Sequence, residues 1–402
     1  MNIDLEKTRP HSSKQISDLV SHDPTIINLT VGEPSYGPPL KFLEEITKLT
    51  QLSSNNSNQH LHRYTHSLGD PHMRIAIERY YQRLYGMTVD PETQVLITHG
   101  GAEAIWLTIF TLTNPGDEVI IADPSYILYE MITLSLGRCP VRIPTRIERG
   151  FRMDPDDIRR AMTNRTRLLI LNSPENPTGA LYTRSDMVAI LKVAEEWGIR
   201  IMHDEVFDRF AYGGEHVPIR SLDIGGNTTI MINSLSKRFG MTGWRLGWLV
   251  GPSKVVSQAA KAHTYFSLST GTLVQQAAAT VLNDPNVDTQ LVNNVTDIQG
   301  RGQRFMQKLL DLELFEKLSE FPKGGFYLFL RPSPLFQKYL TKRNSDGIIS
   351  ELTAWYLLDK CRVAVVPGNS FGPSGEDYVR LSFVAPEEKL DAAVDRFLKL
   401  LI

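Results

Sequence analysis

The chain is poor in cysteine. Only Cys139 and Cys361 occur in 402 residues, far apart and at no metal-ligand spacing. A disulfide framework is excluded, and a reducing compartment is implied. Net charge is also scarce. The formal value is −2 at pH 7, which argues against a nucleic-acid or acidic-membrane partner. No apolar run approaches the ~20 residues of a membrane span. The first residues, MNIDLEKTRPHSS, are polar and lack the apolar core of a secretion signal, so a cytoplasmic protein is expected. Neither a G-x-x-x-x-G-K-[ST] loop nor a G-x-G-x-x-G turn after a first strand is present, which sets aside the common nucleotide-binding loops.

What is there reads as α/β. The length exceeds one small core and points to two domains. Short apolar runs recur at Val95 to Thr98, Glu118 to Ala122, Arg167 to Asn172, Ile199 to Asp204, Thr228 to Asn233 and Leu246 to Val250. Runs apolar on both faces suit the buried strands of a parallel sheet. Helical patterns lie between them, one from Ala102 and one from Arg184 to a glycine stop at Gly198. Asp154-Pro155 reads as an N-cap with a first-turn proline, so the acids at 154, 156 and 157 are helix-start chemistry rather than a metal site. "SSNNSN" (Ser53 to Asn58) reads as a polar loop. Beyond about Asn283 the pattern changes to a long helix over Val287 to Leu312. The strands "GGFYLFLRP", "VAVVPG" and "YVRLSFV" follow, with a helix "SELTAWYLLDKC" and a last helix from Pro386.

Several motifs carry chemistry. "THGGAEA" is a strand, a Gly-Gly turn and a helix, where backbone amides can receive a phosphate. Read blandly, it is only a tight connection. "NSPENPTG" follows a strand and projects Asn176 at the sheet edge where α/β proteins bind ligands; it also reads as a plain turn. Asp204 closes another strand, where a carboxylate is costly unless paired. Its neighbour Glu205 should face the other way. "NSLSKRFGMTGWRLGW" sets Ser234, Ser236, Lys237 and Arg245 around one turn after a buried strand. Two hydroxyls and a guanidinium make a phosphate cradle, and a desolvated lysine can form a Schiff base. His60, His62 and His66 have no carboxylate or cysteine at ligand spacing, which disfavours a metal. Arg380, on the strand of "YVRLSF", is a carboxylate clamp if it faces inward. One ligand answers all of these: pyridoxal 5′-phosphate, with a phosphate, a polar ring, an aldehyde and an amino-acid substrate.

The ordered set "GGAEA", "PGDEVIIADPSYILY", "NSPENPTG", "HDEVF", "SLSKRFGMTGWRLGW" and "VAVVPGNSFG" resembles the class I/II aminotransferases, the fold-type I pyridoxal-phosphate enzymes similar to aspartate aminotransferase. The likeness runs from about residue 27 to about 390. It implies a large domain over 46–285 with a mainly parallel seven-stranded sheet flanked by helices. A smaller α+β domain would come from 1–45 and 286–402. It implies that Lys237 holds the cofactor and moves the proton, that Asp204 pairs with the ring nitrogen, that Tyr126 stacks on the ring and that Asn176 bonds the ring oxygen. The amides of Gly101 and Ala102, with Ser234, Ser236 and Arg245, would hold the phosphate. Tyr64 would reach the phosphate of a neighbouring subunit, which implies a homodimer. Arg380 would take the substrate α-carboxylate, with Gly32 in the loop that closes over it.

Two departures stand out. Phe207 occupies the place of a tyrosine that bonds the ring oxygen in the family. The groups that read a second substrate carboxylate are also replaced, by Ala102 after the Gly-Gly and by Lys261 and His263 before "SLSTGT". Tyr36, Trp106, Tyr129 and His263 are further candidates for lining the pocket. Transamination between an amino acid and a 2-keto acid is the leading expectation. Elimination, cyclisation or oxidation on the same cofactor is the alternative, and a catalytically retired binding scaffold the remote one.

Overall fold

A computed structural model describes residues 3–9, 12–54, 59–342 and 347–400. Seven strands form the main sheet: β1 (Val95–Thr98), β2 (Glu118–Asp123), β3 (Cys139–Pro144), β4 (Thr166–Asn172), β5 (Arg200–Asp204), β6 (Thr229–Ser234) and β7 (Gly247–Val250). Their order is β1-β7-β6-β5-β4-β2-β3. β7 runs antiparallel to β1 and β6, and every other neighbouring pair is parallel. Every residue of β1, β2, β6 and β7 is buried, which is why these strands show no polar alternation. β3 carries two prolines and a mostly exposed or half-buried pattern. Proline is tolerated there because the strand lies at the sheet edge, and the same residues hid it from the sequence reading.

Helix ends follow local chemistry. Asp154 accepts the Asp156 amide and caps Pro155–Ala161. Thr183 and Asp186 form a reciprocal capping box on Arg184–Trp197, which ends at left-handed Gly198. The helix expected from Ala102 spans Gly100–Leu112. Gly100, at φ 75°, turns the chain straight out of β1, so both glycines belong to the first helical turn. Ser53 and Ser54 close the helix Leu40–Ser54 rather than opening a loop; residues 55–58 of that polar stretch lie outside the described residues.

A second, antiparallel sheet joins Tyr327–Leu330, Val379–Ser382 and Val366–Pro367. The run "VAVVPG", expected as one strand, changes partners midway. Val363–Ala364 pairs in parallel with Ile27–Asn28, and Val366–Pro367 joins the three-stranded sheet. The apolar core here combines Ile27 and Leu29 with Ile298, Phe305 and Leu309 of the helix Pro285–Asp311. Phe207 and Phe210, just beyond β5, enter the same core. No helix among the described residues is long and apolar enough to cross a membrane.

Candidate active site

The parallel strands place their C-terminal ends along one edge, where α/β sheets bind ligands. Because β7 is antiparallel, the residues that precede it reach the same edge. A cavity of about 660 Å³ opens there, lined by residues that include Gly32, Gly101, Ala102, Tyr126, Asn176, Asp204, Ser234, Ser236, Lys237, Arg245 and Arg380. The candidates for holding the cofactor and the substrate carboxylate therefore converge, except Tyr64.

Asp204 closes β5 and is 3% exposed. The Tyr129 hydroxyl donates to its Oδ2 (2.7 Å) and the Val206 amide to its Oδ1 (3.2 Å). Burial pushes its pKa up to about 6, against the pull of those two bonds. Glu205 faces away, bonded to His216 Nε2 (2.9 Å) and the Tyr81 hydroxyl (3.2 Å), as neighbours on extended backbone do.

Lys237 stands on the helical turn Leu235–Arg238 that follows β6 directly. Its Nζ donates to the Gly32 carbonyl at 2.8 Å. Burial pushes its pKa down to about 8, against the field of Glu33, so far more of the amine is neutral near physiological pH than in a free lysine, though the protonated form still dominates.

The phosphate-type cradle is built from close approaches. Ser234 Oγ accepts the Ser236 amide (2.9 Å), and the two hydroxyls lie 2.7 Å apart. Arg245 is held at φ 52°, a conformation costly for a side chain and found at functional turns. Its Nη1 donates to the Thr242 carbonyl (2.8 Å). A Cβ on Gly100 would lie 2.6 Å from Arg245 Nη2, and one on Gly247 would lie 2.6 Å from the Gly100 carbonyl carbon. Glycine at both positions lets β7 and the arginine press against the helix start. Gly101 and Ala102, in the first turn of that helix, line the cavity, and first-turn amides have no intrahelical acceptors.

Arg380 also lines the cavity and is 3% exposed. It donates to Asn176 Oδ1 (3.0 Å) and the Thr30 carbonyl (2.6 Å) and lies 4.2 Å from the Tyr327 ring centroid. Its Nε has no partner among the described residues. Burial lowers its pKa, yet a guanidinium remains charged. A buried cation without a carboxylate is a receptor for an anion. Tyr126, half-buried, meets Tyr129 edge-on at 5.6 Å.

Some candidates fall outside the cavity. Tyr36 donates instead to the carbonyls of Lys237 (3.2 Å) and Arg238 (3.0 Å). Trp106 stacks between Phe110 (4.8 Å) and Phe266 (5.8 Å). His263 is buried against Glu103 (2.9 Å), and Lys261 is exposed; neither lines the cavity. Of the further pocket candidates only Tyr129 does. His66 Nδ1 accepts the Leu68 amide at 3.1 Å. No group of three His, Cys, Asp or Glu among the described residues could hold a metal ion. Phe207 packs edge-on against Phe326 (5.0 Å) and Tyr327 (6.0 Å). The phenol that reaches the Lys237–Gly32 contact is Tyr327: a Cβ on Gly32 would lie 1.8 Å from its oxygen. Sequence reading missed Tyr327 and the Asp204 bond of Tyr129. The three-residue spacing from Tyr126 to Tyr129, one helical turn, was the available signal for the second.

Comparison with known proteins agrees with this geometry. The family model "Aminotransferase class I and II" matches residues 24–397. Aromatic-amino-acid aminotransferase 2 of Thermococcus litoralis is 33% identical over 99% of this chain and 97% of its own. An aspartate aminotransferase of Pyrococcus horikoshii is 33% identical over 96% and 94%. Among solved structures, the aspartate aminotransferase of Thermus thermophilus with maleate matches at a TM-score of 0.89 and 28% identity, covering 100% of this chain and 99% of its own. These relatives are all aminotransferases, and elimination or cyclisation is not favoured.

Proposed function

The chain belongs to the class I and II aminotransferases, enzymes that use pyridoxal 5′-phosphate to move an amino group between an amino acid and a 2-keto acid, and we propose that Lys237, Asp204 and Arg380 carry this reaction here. The residues fit the cofactor. Close-approach glycines, two hydroxyls and a guanidinium form an anion cradle. A buried carboxylate with no ion-pair partner among the described residues lines the cavity, as does a buried guanidinium whose Nε has no partner among them. When bound, the cofactor supplies an aldehyde for a lysine and an electron-withdrawing ring that acidifies the substrate α-carbon.

In this reading Ser234, Ser236, Arg245 and the amides of Gly101 and Ala102 hold the phosphate. Asp204 holds a proton on the ring nitrogen, and the Tyr129 hydroxyl fixes that carboxylate. Tyr126 covers one ring face, and Asn176 bonds the ring oxygen while orienting Arg380. The Tyr327 hydroxyl takes the place that Phe207 leaves without one. Arg380 receives the α-carboxylate under the Gly32 loop. Lys237 Nζ, in its neutral form, takes the α-proton and returns it. The observation that carries the proposal is the convergence of the Lys237 amine, the buried Asp204 carboxylate and the buried Arg380 guanidinium on one cavity lined also by Ser234, Ser236 and Arg245.

Among the described residues the cations lining the cavity are Lys237, Arg245 and Arg380, and all are committed. We therefore assign the substrate an uncharged or cationic side chain rather than a second carboxylate, with Glu33 at the wall disfavouring a further anion. We also propose a homodimer. Tyr64 is 78% exposed, as are the apolar Phe266 (70%) and Leu268 (48%). The Thr272 hydroxyl ties that segment to the Arg63 carbonyl (2.8 Å). Residues 46–285 are taken as the cofactor-binding domain, with 1–45 and 286–402 as the second. The test is a panel of amino acids against holoenzyme, followed by absorbance and keto-acid release. Aromatic, aliphatic or basic amino acids should release keto acid and leave aminated cofactor. A panel in which none does so would reject transamination, and one led by aspartate and glutamate would reject the side-chain assignment.

A further inference from the structure

A second polar cluster is sealed beside the site without lining its cavity. At its centre Arg238 (1% exposed) meets Asp208 (4% exposed). Four donors converge on Asp208 Oδ2: Arg238 Nη2, the Tyr80 hydroxyl, the Tyr85 hydroxyl (3.2 Å) and Asn233 Nδ2 (3.2 Å). Arg238 Nη2 also donates to the Tyr80 oxygen, and the guanidinium lies 4.2 Å from that ring's centroid. Burying both charges forfeits their hydration. A well-packed apolar pair of similar volume is often at least as stable, so stability alone does not account for the pair.

Its attachment points do. Arg238 directly follows Lys237, Asp208 lies one short segment beyond Asp204, and Asn233 immediately precedes Ser234. One carboxylate oxygen thus ties the segment that carries Asp204 to the stretch 233–238 that carries both the amine and the cradle hydroxyls, and fastens both to Tyr80 and Tyr85 of the helix Pro71–Tyr85. From the other side, the Tyr36 hydroxyl grips the Lys237 and Arg238 carbonyls, so the turn is held at two points. We infer that Asp208 and Arg238 are positioning residues, a buried ion pair that sets where the Lys237 amine stands relative to the Asp204 carboxylate while touching neither substrate nor cofactor. The inference rests on the roles proposed above for Lys237 and Asp204.

The test compares wild type with the paired variant Asp208→Leu/Arg238→Met, which leaves no lone buried charge, and with Arg238→Lys, which keeps the charge but loses the planar fork. Four quantities are read: thermal unfolding of apo-protein, cofactor affinity by titration of apo-protein, the pH midpoint of the lysine-linked chromophore, and kcat against KM. In the paired variant the unfolding temperature should fall moderately, because Tyr80, Tyr85 and Asn233 lose their acceptor, while kcat of the folded protein falls ~10-fold or more, as displaced catalytic groups cause. The amino-acid KM should hold within about twofold, and the chromophore midpoint should move by roughly half a pH unit as the amine shifts in the field of Asp204. Arg238→Lys should shift the midpoint in the same direction, by less. Wild-type kcat and midpoint in both variants would overturn the inference, as would lowered unfolding temperatures with those two readouts unchanged in the folded protein. A Lys237→Ala control separates the premises: if it still gives borohydride-stable labelling of the same peptide, the assignment of Lys237 has failed, not the ion pair.

Discussion

Asp204 and Asp208 sit on one stretch of chain and live in opposite regions. Asp204 faces the cavity with a tyrosine hydroxyl and a backbone amide as partners. Burial leaves its pKa raised to about 6. Asp208 is buried just as deeply, but the Arg238 guanidinium and a ring of donors outweigh burial and hold its pKa below the usual carboxylate range. Burial alone therefore does not decide a carboxylate's charge. The deciding difference is whether the fold supplies the cation or leaves the place for one. On the cavity side the counter-charge is left to arrive with a ligand; behind it, Asp208 and Arg238 already face each other.

Breaking the cavity side should cost most. Lys237→Ala removes both the attachment point and the proton carrier, and turnover should fall by about 10⁴-fold or more, read as keto-acid release. Asp204→Asn keeps the shape and removes the charge. A loss of about 10³-fold in kcat is expected, with apo-protein unfolding little changed. Arg380→Lys keeps the charge and loses the fork, so kcat/KM for the amino acid should drop about 10²-fold, mostly through KM. Tyr129→Phe sharpens the comparison. It removes one of the two bonds holding the Asp204 pKa down, worth about 1–2 kcal/mol, and should weaken cofactor binding to apo-protein by ~10-fold. The smallest effect concerns pH. Only the neutral amine attacks an aldehyde, and burial lowers the Lys237 pKa to about 8. Cofactor capture by apo-protein should therefore speed up as pH rises toward 8 and level off above it. A capture rate that is flat between pH 6 and 8, checked by stopped-flow absorbance, would contradict that value.

Much of this was legible before any coordinates. Buried strands show as unbroken apolar runs, and the cofactor candidates sit just beyond their ends, so Asn176, Asp204 and Lys237 could be located by reading along the chain. The helix that begins at Gly100 was read two residues late, because a positive-φ glycine can start a helix as well as precede one. The edge strand Cys139–Pro144 was missed because its prolines imitate a loop. His263 looked available for substrate, and nothing local foretold that Glu103 would bury it.

By itself, the sequence determined the order of strands and helices, the lysine after a buried strand, and the glycines that let chain segments meet, because these depend on backbone preferences and apolar periodicity within a few residues. Tertiary structure alone decided which charges stay unmatched. The Tyr129 hydroxyl on Asp204, the Arg380 bond to Asn176 and the convergence of Tyr80, Tyr85 and Asn233 on Asp208 join residues far apart in the chain. Solvation and Coulomb energy depend on distance in space, and spacing along the chain does not encode it.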